Sequence, residues 1–316
     1  MIRRQNIHWS PSRCTRLFII SLFVVVVLMN TGCSIRRLAV NTIGDALSGG
    51  GTSFAMDDDP ELIRSAVPFS LKLMESLLKE SPSHKGLLTA CASGFTQYSF
   101  AFVSEEADRI EGKDLEAATE MRQRARRLYL RARDYGLRGL EVSYPKFGNA
   151  LRTSPSTAVQ SLKASDVPLI YWTAASWAGA ISVLKDDADL IADLPIVEAL
   201  IDRALALDEK FDNGAIHGFL IAYEMNRQTG TGDPEGRARD HFKRAVELSG
   251  GKLCGPFITL AESVSLPNQD KAEFQALLRQ ALEIKPDSRP EFNLANLVMQ
   301  RKARRLLGRI EQLFVE

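Results

Sequence analysis

The chain lacks the signatures of catalysis. It has no Gly-x-Ser-x-Gly elbow, no His-Glu-x-x-His pair, no phosphate-binding loop and no Gly-x-Gly-x-x-Gly after a strand pattern. Histidine is scarce: four in 316 residues, of which His84, His217 and His241 follow residue 32. Two histidines with a distant Glu224 or Glu247 make too few ligands for a zinc centre. Asp186, Asp187, Asp189 and Asp193 lack calcium-loop spacing and its glycine. The four cysteines contain no Cys-x-x-Cys, and Cys91 and Cys254 lie in apolar surroundings, LLTACASGF and GKLCGPFI, that favour buried free thiols. A disulfide between them is open to an exported chain, although a core this large does not require one. No segment alternates with period two for long enough to predict a strand. These absences exclude the common enzyme classes and predict an all-α protein with no cofactor and no metal.

Strong charge is also missing. Without the first 32 residues, 36 basic residues face 39 acidic ones, a formal charge of −3, so nothing electrostatic points to nucleic acid. Those 32 residues carry Arg3, Arg4, Arg13 and Arg16 and no acid, then an apolar run of thirteen from Leu17 to Met29. As a helix that run rises about 20 Å, short of a roughly 30 Å hydrocarbon core, and fits a signal peptide over 1–32. Asn30-Thr31-Gly32-Cys33 follows and resembles the lipobox of bacterial lipoproteins, with Asn30 where that motif carries an apolar residue. The resemblance makes Cys33 the acylated first residue of the mature chain. Ser34 in place of aspartate then implies sorting to the outer membrane of a Gram-negative cell. Residues 33–56 read as a lipidated amino terminus and tether: Ile35, Leu38, Ala39, Ile43 and Leu47 recur at helical spacing, and Ser48 to Ser53 form a glycine-rich joint.

The folded domain is predicted over 57–316. Asp59-Pro60 opens an amphipathic helix with Leu62, Ala66, Phe69, Leu73 and Leu77 at spacings of three and four, ending near Ser81-Pro82. Asp166-Val167-Pro168 caps a helix to Leu184 that is apolar all round, hence central and buried. Seven arginines between Arg122 and Arg138 lie opposite an apolar stripe and read as a solvated face. Arg203 to Leu207, Arg244 to Leu248 and Gln280 to Ile284 share the pattern polar, Ala, apolar, any, apolar, 41 and 36 residues apart. That period predicts tetratricopeptide-like hairpins, 85–108 with 115–134, 166–184 with 195–208, 212–228 with 234–249 and 254–266 with 270–284. A last helix near 290–307 caps the stack with a charged outer face at Arg301, Lys302, Arg304 and Arg305. Residues 144–165 interrupt the repeat and are expected to wall or cover a cavity on the binding face.

The long block from DVPLIYWTAASWAGAISVL (166–184) through Lys185 to Glu224 resembles the T component of tetratricopeptide-associated TRAP transporters. The likeness extends to DDDPELIRSAVPFSLKLMESLL and SGFTQYSFAFV upstream. Downstream it covers HFKRAVELSGGKLCGPFITLAESVS and NLANLVMQRKARRLL. The resemblance implies a solenoid of stacked antiparallel hairpins enclosing a cavity or pore. It also implies a non-enzymatic, periplasm-facing lipoprotein that docks a periplasmic TRAP solute-binding protein, and a homotrimer. If first helices line the concave side, Gln97, Tyr98, Tyr171, Trp172, Trp177 and Tyr223 are the candidate lining for an organic, apolar or organic-acid solute, with core packing as their plain alternative. A tetratricopeptide lipoprotein that scaffolds outer-membrane or pilus assembly is the other reading.

Overall fold

A computed structural model describes residues 40–49, 51–184, 187–227 and 230–314; the export signal and Cys33 lie outside them. The protein is all-α, and no strand occurs among the described residues. None of the described helices is long and apolar enough to cross a membrane.

The architecture is built around α9 (Val167–Val183). Its Ile170, Ala174 and Trp177 are fully buried, as an all-round apolar helix requires. α6 (Leu115–Glu141) crosses it in the most extensive helix contact of the molecule, while α4 (Lys85–Tyr98) and α11 (Leu194–Leu207) pack on it as well. Small residues set the α6–α9 distance. A methyl group at Gly136 would meet Thr173, one at Gly139 would meet Leu169, and one at Gly179 would lie 2.7 Å from the Tyr129 ring. Asp166 does not cap α9. Its carboxylate accepts instead from Tyr144 Oη at 2.6 Å, from the Lys163 amide and from Lys85 Nζ, so it fastens the 144–165 insertion to α4. That insertion contains α7 (Phe147–Thr153) and α8 (Pro155–Ala158), and Arg203 holds its end through the Leu162 carbonyl at 2.6 Å.

The remaining pairs follow the expected periods. α4 continues through a π-helical turn, Ser99–Ser104, into α5 (Glu105–Ile110), and the three pack on α6. α10 (Ala188–Ile191) links α9 to α11. α12 (Ala215–Glu224) pairs with α13 (Pro234–Ser249). α14 (Gly255–Leu260), extended by a second π turn at Ala261–Ser265, pairs with α15 (Lys271–Glu283). α16 (Asn293–Gly308) and the short α17 (Ile310–Leu313) close the chain. One apolar core runs from α3 (Pro60–Glu80) to α12, and a second lies between α12 and α17. Cys91 and Cys254 are buried free thiols, one in each core.

Three surface expectations change. First, α3 buries Ile63, Leu71, Met74 and Leu78, whereas Leu62, Phe69 and Leu73 of the expected stripe face outward. Second, several arginines of α6 bind other helices instead of water alone. Arg131 pairs with Glu75 at 2.5 Å, Arg122 with Asp108 and Glu111, and Arg126 with Asp187; Arg133 lies over the Trp177 ring. Third, residues 40–49 (α1) form a helix, in keeping with their helical spacing, but the joint expected from Ser48 onward is helical at 48–49 and again over Gly51–Ala55 (α2). α1 is tied to the domain through Ser81 Oγ, which donates to Asn41 Oδ1 at 2.8 Å, and α2 packs against α16.

The close α6–α9 approach gives a paired prediction. Gly179→Ala forces the buried Tyr129 ring to shift and should lower stability by about 1–2 kcal/mol, overpacking outweighing the helix-propensity gain. Gly218→Ala meets no atom within 4 Å and should raise stability by about 0.5–1 kcal/mol. Urea unfolding midpoints of the two variants check both signs.

Candidate functional site at the closing seam

The six aromatic and amide positions expected to line a cavity fall in several places. Gln97 is exposed. Tyr98 is buried against Phe102 with Arg124 over its ring. Tyr171 meets Trp172 edge-on at 4.9 Å and Phe211 at 5.3 Å. Trp177 donates its indole N–H to Asp193 Oδ2 at 3.1 Å and is sealed in the core. Tyr223 stacks on Phe219, and its hydroxyl donates to the Leu194 carbonyl. Tyr171 and Trp172 touch each other; no ring contact joins them to Tyr98, Trp177 or Tyr223 among the described residues.

A largely buried ionic cluster lies where α16 meets α5 and the second π turn. Lys302 Nζ sits 2.9 Å from Oε1 of Glu105 and 2.9 Å from Oε2 of Glu262, and Arg305 Nη2 sits 2.7 Å from the other oxygen of Glu105. Lys302 and Arg305, expected on an outer face, therefore turn inward. Of that charged quartet, Arg301 reaches exposed Glu61 on α3 at 2.7 Å and Arg304 stays exposed. Only 10% of the Lys302 side chain is exposed, and its ammonium group lies 5.7 Å from the centre of the Phe100 ring. Glu262 combines two properties. Burial pushes its carboxyl above the ordinary value against the opposing pull of Lys302, yet 31% of its side chain meets solvent. The two glutamates hold Lys302 charged, well above an ordinary amine.

The turn before α12 repeats the combination. Asp212 and Asn213 take left-handed conformations, φ 45° and 55°, followed by Gly214 at 91°. Two non-glycine residues there store on the order of 1 kcal/mol each, and Arg289 secures the turn through Asn213 Oδ1 at 3.2 Å. Asp212 is exposed by area, but burial raises its carboxyl, and burial together with that charge raises the phenol of Tyr171. Two clefts of about 340 and 350 Å³ lie elsewhere, one beside Phe242 and Leu260, the other between Arg126 and Asp187. Neither is lined by any of the six expected positions.

Reading the sequence missed Glu105, Glu262, Lys302 and Arg305 as one group. The signal present was an acid, Glu262, inside the apolar run ITLAESVS. A separate pair, His217 and His241, place their Nδ1 atoms 2.8 Å apart, within hydrogen-bond distance, flanked by Glu209 and Glu224. No group of three or more His, Cys, Asp or Glu side chains able to hold a metal occurs among the described residues. Burial depresses both imidazoles.

These charges make two outcomes testable. Lys302→Met leaves Glu262 without a cation and Glu105 with Arg305 alone, and should cost roughly 3–5 kcal/mol at neutral pH. A carboxyl raised in the folded state stabilises the fold below its unfolded value of 4.5 and loses that contribution as pH rises through the folded value. The Lys302→Met deficit should therefore shrink toward acid, as read by denaturation across pH. The depressed histidines act oppositely: their contribution is present above 6.5 and is lost as pH falls through their folded values. Replacing one of them, in His241→Gln, should flatten the stability loss between about pH 7 and pH 5.

Comparison with known proteins returns a family model described as TRAP transporter T-component, which matches residues 56–314. An uncharacterized protein of Treponema pallidum (strain Nichols) is 25% identical over 307 residues, covering 92% of this chain and 95% of the relative.

Proposed function

Because the chain belongs to the TRAP transporter T-component family, we propose that it serves such a transporter as a non-enzymatic lipoprotein, acylated at Cys33 and facing the periplasm from the outer membrane. In this role it docks a periplasmic solute-binding protein and gives an organic solute an enclosed, partly polar space. The observation that supports the enclosed space is the geometry at the closing seam, where Glu262, 31% exposed, faces Lys302, 10% exposed, at 2.9 Å beside the Phe100 ring. Phe100 beside Lys302 and the Tyr171–Trp172–Phe211 group supply apolar wall. A solute carrying both a polar end and an apolar body suits that mixture.

No step of chemistry is required of these groups. Lys302 and Arg305 are already neutralised by Glu105 and Glu262, so the cluster orients and fastens instead of activating a nucleophile. Affinity capture of the full chain from solubilised envelopes should recover a TRAP-type solute-binding protein in near-stoichiometric amount. Recovery of a barrel-assembly or secretin component in its place would contradict the transport reading and favour a scaffold.

A further inference from the structure

Helix α3 carries two apolar faces, and only one is used. Ile63, Leu71, Met74 and Leu78 enter the core, while Leu62, Phe69 and Leu73 stand 56%, 74% and 37% exposed. At about 100° per residue the exposed three fall within about 40° of one another. Ser65 and Ser76 share their stripe, and each hydroxyl donates back to a carbonyl of its own helix, on Glu61 at 3.0 Å and Lys72 at 2.9 Å. From Leu62 to Ser76 the stripe thus presents three large apolar side chains and two hydroxyls already satisfied within the helix, and Glu80, in line with Leu62, closes it with a charge at the carboxyl end. Charged groups stand beside it, Lys72 and Lys79 among them, where a stem can lie along an apolar surface with its ammonium in water.

We infer that this face of α3 rests on a phospholipid surface, seating the domain on the membrane that holds its acyl anchor; the inference rests on the acylation of Cys33 proposed above. Where the chain leaves the described structure selects lipid as the occupant. α1 lies at the carboxyl end of α3, held by Asn41 against Ser81 and His84. Only residues 34–39 separate Cys33 from residue 40, a reach of at most about 25 Å. The anchor therefore cannot carry the bilayer far from α3, itself about 31 Å long. Exposed large apolar side chains also concentrate in the first part of the described chain. Ile43, Met56, Leu62, Phe69 and Leu73 all lie between residues 43 and 73, and Phe100, Leu115 and Val142 are the others exposed among the described residues. An amphipathic helix lying in the interface plane sinks such a face into the headgroup and acyl boundary.

The test uses the mature full chain with an environment-sensitive fluorophore attached to the Phe69→Cys variant. Cys91 and Cys254 do not compete, being fully buried with thiols pushed up to about 12. A Lys243→Cys variant, labelled on α13 where that side chain is 74% exposed, is the control. Each is reconstituted with phosphatidylethanolamine and phosphatidylglycerol vesicles containing brominated acyl chains. The expected result is flotation of both proteins, with the α3 probe blue-shifted and quenched roughly twofold by bromine and the α13 probe unchanged. Flotation with an unquenched α3 probe would leave the anchor standing and overturn the lipid face. A blue shift without bromine quenching would also overturn it, in favour of a second copy covering the stripe. Failure to float would refute the anchor, and the lipid face with it.

Discussion

The close crossing of α6 and α9 is the constraint on which the rest depends. Two helix backbones approach this near only where side chains are small, and Gly136, Gly139 and Gly179 face Thr173, Leu169 and Tyr129 across the contact. With α6, α4 and α11 packed on it, α9 buries most of its circumference, and the stripe through Tyr171, Ala175, Ala178 and Ser182 stays half-buried to exposed. The buried hydroxyls of α9 bond inward: Thr173 donates to the Leu169 carbonyl and Ser176 to that of Thr173, so neither donor is left unmet.

At the other end of the molecule a different force joins distant parts of the chain. Lys302 and Arg305 reach Glu105 across roughly two hundred positions of sequence, and Arg301 reaches Glu61 over a still longer separation. Both glutamates that pair with Lys302 are products of widened turns. Glu105 comes directly after the π turn Ser99–Ser104, and Glu262 lies inside the turn Ala261–Ser265. A π turn inserts an extra residue into the helical register and rotates the side chains beyond it, so a carboxylate that an unbroken helix would aim elsewhere can meet the seam. Because the ions are already paired, the seam adds selectivity of fold and a polar wall more than it adds net stability.

Much of the architecture was legible because it is local. The hairpin pairs around α9, α12 and α14 sit where apolar spacing and the recurring alanines place them, since a period of 3.6 and a cap at Asp59, Asp114 or Asp270 are properties of short stretches. The candidate site was hardly legible. Trp177 and Tyr223 look in sequence like lining residues, but their partners, Asp193 and the Leu194 carbonyl, come from a loop and a neighbouring helix that no spacing reveals.

Composition and pattern alone determined that this chain folds as paired helices, since burial periodicity is written residue by residue. Only the tertiary structure decided which face of each helix is the inner one. Leu62, Phe69 and Leu73 form as good an apolar stripe as Ile63, Leu71, Met74 and Leu78, and Lys302 as good a solvent-facing charge as Arg301. The choice between such equivalent faces depends on what packs opposite. That partner lies far away in the chain, so the free energy that decides the matter exists only once the helices have met.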